Sequence, residues 1–232
     1  MTGLAWRVLR DGAASAEAHM ALDEHLAQDA TLTARVFQWR TPAISLGWKQ
    51  PWPEWLDRSA WRAQGLELVE RPTGGGIALH GSDVSVSIIV PRALELPLDA
   101  LMRTVCQSAG RLCERYGVEA TALDLRSERR IQYCLAEPSP YAVSIGGRKV
   151  AGFALRRYPR SWLVQGSLLA RPLPGALARA LPQGVTETLA VRAASLSEHA
   201  VRPVEADEVA TQWLEQWGAW WDELLLNEEI TV

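Results

Sequence analysis

Three stretches of the chain gather chemically capable residues. The first is RPTGGGIALHGSD, residues 71–83. Its consecutive glycines Gly74, Gly75 and Gly76 expose backbone N–H groups and allow a ligand close to the main chain. Arg71 before them and His80 after them suit polar ligand atoms. No Gly-Lys-Ser/Thr follows and Gly-x-Gly-x-x-Gly is absent, so neither nucleotide-binding pattern applies; a plain turn between strands is the competing reading. The second stretch is GGRKVAGFALRR, residues 146–157. Lys149 follows the double glycine, and Val150, Ala151 and Gly152 leave room beside it. A lysine fixed on a strand can offer its ammonium to a carbonyl or phosphate oxygen, whereas a solvated hairpin lysine would do nothing. The third is Cys134, in the polar, proline-bearing segment QYCLAEPSPY. A cysteine becomes a good nucleophile where a nearby cation favours its thiolate, although a small buried hydrophobe is the commoner fate. That commoner fate is the expectation for Cys106 and Cys113. His19, His25 and His199 share no metal-ligand spacing and read as surface or core histidines, so no metal site is expected.

These residues need elements to hold them. Ala16–Gln28 carries apolar residues near helical spacing. Short β-rich runs follow at Ala34–Trp39 and Ala43–Trp48, split by Thr41-Pro42, and at Leu66–Arg71. DVSVSIIV, Asp83–Val90, alternates as a half-buried strand should. Leu98–Tyr116 is an amphipathic helix closed by Gly117. Tyr141–Ile145 and Arg148–Leu155 flank Gly146-Gly147, a pair that permits positive φ at both turn positions and marks a hairpin. Trp162–Ala170 is a further strand, with short helical pieces between Pro172 and Glu198. A final helix over Val204–Leu226 carries Trp213, Trp217, Trp220 and Trp221 on one face. The mixture predicts an α+β fold, a central mixed sheet with flanking helices in a single domain over residues 1–232, the C-terminal helical segment starting near 204.

Composition narrows the classes. The chain has 232 residues, about one and a half domains at ~150 residues each. Its 48% hydrophobic and 22% charged residues exclude global disorder. The net charge of −3 argues against a nucleic-acid partner. No basic start with an apolar run marks a signal peptide, and no apolar stretch approaches the ~20 residues of a membrane span. Three cysteines without a Cys-x-x-Cys predict neither a disulfide framework nor a zinc site, so a reduced, cytoplasmic setting is expected. The unusual count is 11 Trp against 2 Phe and 4 Tyr.

In order and spacing, these pieces resemble the biotin/lipoate protein ligase and octanoyltransferase superfamily. The resemblance rests on MALDEHL (20–26), RVFQWRTPAISLGWKQ (35–50), ERPTGGGIALHGSD (70–83), CLAEPSPYAVSIGGRKVAGFALRR (134–157) and VQGSLL (164–169), and covers most of residues 15–170. It implies a biotin/lipoate ligase-like fold and attachment of an octanoyl or lipoyl group to one lysine of a lipoyl-domain protein. Arg71, Gly74, Gly75, Gly76, His80, Lys149 and the adjoining Gly152 would surround the acyl head, with the tail in a narrow slot of the sheet.

Two chemistries compete within this resemblance. Cys134 followed by Pro-Ser resembles the transferases that carry octanoyl from an acyl-carrier protein through a cysteine thioester, with Cys134 and Lys149 catalytic. The triple glycine and the His-Gly after it resemble ATP-dependent lipoate-protein ligases, which form lipoyl-AMP. These would use ATP and Mg²⁺ and in some cases an accessory subunit. In both, lipoate or octanoate is substrate and no tightly bound cofactor is expected. A non-catalytic binder of lipoyl domains is a further reading, against which the intact Lys149, Arg71 and glycine loop count. The usual biotin-ligase GRGRxGR loop is missing. The tryptophans divide accordingly: Trp39 and Trp48 as slot wall or core, Trp52, Trp55 and Trp61 near the mouth, and the tail-helix group as packing.

Overall fold

A computed structural model describes residues 6–123, 132–137 and 139–227, with side chains described up to Trp217. The chain opens with strand β1 (Arg7–Arg10) and helix α1 (Ala16–Asp29). Ser15 starts the helix by accepting the Ala18 N–H on its hydroxyl. Strands β2 (Thr33–Phe37) and β3 (Ala43–Leu46) follow, then the short helix α2 (Arg58–Ala63), capped by Asp57, and strands β4 (Glu67–Glu70), β5 (Ala78–His80) and β6 (Asp83–Pro91). Helix α3 (Leu98–Glu114) leads to β7 (Thr121–Leu123), β8 (Ala142–Ile145), β9 (Arg148–Arg157) and β10 (Ser161–Leu169). Helices α4 (Gly175–Ala180), α5 (Gln183–Arg192) and α6 (Ala206–Asn227) complete it.

Two sheets form where one is expected. The larger runs β1-β2-β6-β10-β9-β8-β7, with only β1 and β2 parallel among its pairs; the smaller runs β4-β3-β5. This is the mixed sheet with flanking helices of the α+β reading. The additional strands are the short β1, β5 and β7, and β5 lies inside the stretch read as a glycine loop.

The faces of the large sheet differ in chemistry. One carries Val84, Val86, Ile88, Val164, Leu168, Ala151 and Phe153, packed with Leu101, Met102, Val105 and Ala109 of α3 and with Trp213 and Trp217 of α6 in the main core. The other carries Asp83, Ser85 and Ser87 of β6 and Gln165 and Ser167 of β10. It lies under α1, whose Asp23 hydrogen-bonds Ser87 and Gln165. The alternation of Asp83–Val90 therefore does not mark a half-buried strand: every residue of it is buried, because polar and apolar faces are both covered. Cys106 and Cys113 lie in the core as small hydrophobes, and burial pushes the Cys113 thiol up to about 12. Among the described residues no helix is long and apolar enough to cross a membrane.

Trp213 and Trp217 explain part of the tryptophan surplus as packing; the side chains of Trp220 and Trp221 lie outside the described residues. Trp213 is fully buried, gives its indole N–H to Ser108 of α3 at 3.0 Å and meets the Phe153 ring edge-on. Trp213→Ala is expected to cost about 3–5 kcal/mol, read as a lower urea midpoint with an unchanged slope.

Candidate active site

The hairpin of β8 and β9 turns on Gly146 and Gly147, both at positive φ, and presents Lys149. Alternation alone would put Lys149 and Gly152, three residues apart, on opposite faces. A bulge changes this: Val143 pairs with Ala151 but Ser144 pairs with Lys149, leaving Val150 as an extra residue in β9. Val150 then points into the main core with Ala151, and Lys149 turns to the polar face beside Gly152. Bulges next to functional sites commonly re-aim a side chain in this way.

Lys149 is buried, and two of its three N–H donors go to the Ser139 hydroxyl at 2.5 Å and the Glu137 carbonyl at 3.4 Å. The segment carrying Cys134 thus also holds the lysine. Its turn is pinned at both ends: Cys134 N–H donates to the Ile77 carbonyl, and the Glu137 carboxylate accepts the N–H groups of Gln132 and Tyr133, each at 2.8 Å. Pro138 of the same segment lies outside the described residues. At Gly152 the groups converge. A Cβ there would stand 3.0 Å from Lys149 Cε, 3.2 Å from its Nζ and 3.3 Å from Cys134 Sγ. The missing side chain lets the thiol and the ammonium close in over the glycine backbone.

Arg71 organises the glycine loop from within. Its terminal nitrogens donate to the Ser45 carbonyl and hydroxyl at 2.9 and 3.2 Å and to the carbonyls of Gly74 and Gly76 at 2.8 and 2.6 Å. Burial pushes the guanidinium below its ordinary value, with Cys134 acting in the opposite direction, so this cation lies within electrostatic reach of the thiol. Gly75 sits at φ +93°, and a Cβ on it would come within 2.9 Å of Arg71 Nη2. Arg71 spends these donors on the chain's own oxygens and shapes the loop around its charge.

His80 is engaged on both ring nitrogens, to the Ser45 hydroxyl and to Asp83, each at 2.8 Å, and it stacks on Trp39. Burial alone would push the Asp83 carboxyl up, but His80 and the donors from Gly81 and Ser85 outweigh it and hold it below the usual carboxylate range. On the other side, Gln165 joins Asp23, itself paired with Arg35, to the Thr73 hydroxyl of the loop. The loop is therefore braced from both sheets.

Several of these groups line one cavity. Arg71, His80, Cys134 and Gly152 line it, with Ser85, Ser167 and Ala154 from the sheet and Met20, Phe37 and Trp39 as an apolar end. Among the described residues no three His, Cys, Asp or Glu side chains converge as metal ligands would. Trp39 lines the cavity as expected. Trp48 is instead exposed, with the Lys49 and Arg156 cations each 4.3 Å from its ring. Trp61 is buried in the core of the small sheet, and Trp52 and Trp55 border a separate groove with Gln50 and Gln132. Sequence reasoning assigned nothing to Ser45, Asp83, Ser139 or Gln165. Asp83, Ser85 and Ser87, alternating along DVSVSIIV, are the visible trace of the polar face.

Residues 15–218 match the family described as the lipoyl protein ligase A/B catalytic domain. Octanoyltransferase LipM of Kyrpidia tusciae is 30% identical over 226 residues, 88% of this chain and 82% of that protein. Octanoyltransferase LipM of Symbiobacterium thermophilum is 33% identical over 221 residues, covering 86% and 80%. Among solved structures, a bipartite lipoate protein ligase from Thermoplasma acidophilum, described together with its E2 lipoyl domain, superposes with a TM-score of 0.73 at 18% identity, over 93% of this chain and 83% of that one.

Proposed function

Because the chain belongs to the lipoyl protein ligase A/B catalytic domain family, we propose that it is an octanoyltransferase working through an acyl-Cys134 thioester. The donor is octanoyl-acyl-carrier protein and the acceptor one lysine of a lipoyl domain. The observation that carries this reading is that Cys134 Sγ and Lys149 Nζ both close on one point above Gly152, at the edge of an apolar-ended cavity that Cys134 and Gly152 line.

The Cys134 thiolate attacks the thioester carbonyl; its C–S bond forms as the carrier's C–S bond breaks, and the carrier thiolate leaves and takes a proton from solvent. The Lys149 ammonium faces the oxygen on which negative charge develops. Arg71 adds a second fixed positive charge and keeps the glycine loop in shape. In the second half, the neutral amine of the acceptor lysine attacks the acyl carbon. The amide forms, the Cys134 thiolate is released, and the amine's proton passes to solvent. Burial of the hydrocarbon tail contributes ~0.8 kcal/mol per CH₂, enough to separate eight carbons from two.

Purified chain and lipoyl domain are given octanoyl-acyl-carrier protein in one reaction, and free lipoate with ATP and Mg²⁺ in another. Modification in the first is expected; modification in the second alone would assign the lipoyl-AMP route instead. Within the transferase account, Gly152→Val is expected to lower transfer by up to about 10²-fold, since displacement of reacting groups by ~1 Å costs that much. Thermal unfolding of the variant checks that the fold survives.

A further inference from the structure

We propose that the Phe37 ring sets the length of the acyl chain, which crosses the large sheet perpendicular to its strands over Gly152, Ser167 and Ser85. This rests on the acyl-transfer reading above. The register places the four residues in one row: Gly152 faces Ser167, Ser167 faces Ser85, and Ser85 faces Phe37. All four line the cavity. The row begins where Cys134 Sγ stands over Gly152. It continues over two serines, the second flanked by Trp39, whose indole N–H donates to the Ser85 hydroxyl at 2.9 Å, and ends against the Phe37 ring.

The dimensions agree with an eight-carbon chain. Three inter-strand steps of about 4.8 Å span about 14 Å. Contact between a terminal methyl and the ring takes about 4 Å of this. About 10 Å is left, against about 9 Å from carbonyl carbon to methyl in an extended octanoyl chain, at ~1.25 Å per bond.

The end wall is also rigid. Phe37 is 2% exposed, with the Arg35 guanidinium 4.1 Å from its centroid, the His19 ring at 4.3 Å and Trp39 at 5.8 Å. Arg35 is itself fixed by Asp23 and by His19 Nδ1, each at 2.6 Å. A longer chain that displaced this ring would give up its contacts with Arg35, His19 and Trp39.

The full chain is incubated with an equimolar mixture of hexanoyl-, octanoyl-, decanoyl- and dodecanoyl-acyl-carrier proteins, and acyl-enzyme is counted by intact mass. The unaltered protein is expected to load octanoyl preferentially. Phe37→Ala is expected to move the optimum to ten or more carbons, raising the decanoyl-to-octanoyl ratio at least about tenfold. Phe37→Leu, which keeps most of the buried volume, is expected to raise it by a smaller factor and guards against a misfolded alanine variant. Met20→Ala tests the other way out of the slot, along the strand toward Gln165. An unchanged profile in both folded Phe37 variants, or a shift seen with Met20→Ala alone, overturns the ruler while leaving acyl transfer intact. Failure of the unaltered protein to load any chain overturns the acyl-transfer reading, and the ruler with it.

Discussion

Cys134→Ser is expected to lower octanoyl transfer by at least about 10³-fold, the scale on which removing a covalent nucleophile acts. The replacement is nearly isosteric and touches nothing that holds the turn, which is fixed by the Cys134 backbone N–H on Ile77 and by the Glu137 carboxylate. The serine hydroxyl would occupy the same half-buried place over Gly152. It would not be activated there, because its neighbours Lys149 and Arg71 are cations that take no proton from an alcohol. Unfolding temperature and acyl-carrier binding are expected to stay unchanged, so the loss falls on kcat. Cys106→Ser and Cys113→Ser serve as the contrast: both positions are buried in the core, so these variants lose stability while the folded fraction still transfers octanoyl.

Lys149→Met gives the second large effect, a fall in transfer of about 10²–10³-fold, the usual consequence of removing one fixed donor from a developing oxyanion. Methionine keeps the unbranched shape and discards the charge. A buried cation held by a hydroxyl and a carbonyl carries a desolvation cost that its removal relieves. The variant is therefore expected to unfold no earlier than the parent, although Ser139 loses its partner. Lys149→Arg is not expected to restore activity. The guanidinium is planar and larger, and the lysine side chain already lies close over Gly152, where even an added Cβ would stand 3.0 Å from it. A Lys149→Met variant that unfolds normally and transfers normally would remove Lys149 from the chemistry.

The parts legible from sequence are those set by local pattern. Gly146-Gly147 announced the hairpin, and the amphipathic spacing of Leu98–Tyr116 and the tail helix announced the core-covering helices. What escaped is set by partners far along the chain. The bulge at Val150 depends on how β8 meets β9, so Lys149 could be singled out but not aimed. Cys134 reaches the cavity because its turn bonds Ile77, 57 residues earlier. The hydroxyls of DVSVSIIV signalled a polar face, yet only the position of α1 shows that this face is covered rather than wet. His80 looked suited to a ligand atom; Ser45 and Asp83 occupy both its nitrogens, a demand invisible until β3, β5 and β6 are adjacent. Trp61 looked like part of the mouth and lies in the core, because α2 turns that face of the loop inward.

In the proposed reaction the acyl group rests on Cys134 between donor and acceptor. Mixing the protein with octanoyl-acyl-carrier protein alone, in the absence of a lipoyl domain, and measuring intact mass and then the peptide map tests it most directly. One octanoyl group per chain on the Cys134 peptide, discharged when a lipoyl domain is added, is the predicted result. A lipoyl domain that becomes octanoylated while the Cys134 peptide never carries the acyl group, or while Cys134→Ser works at the unaltered rate, would contradict it.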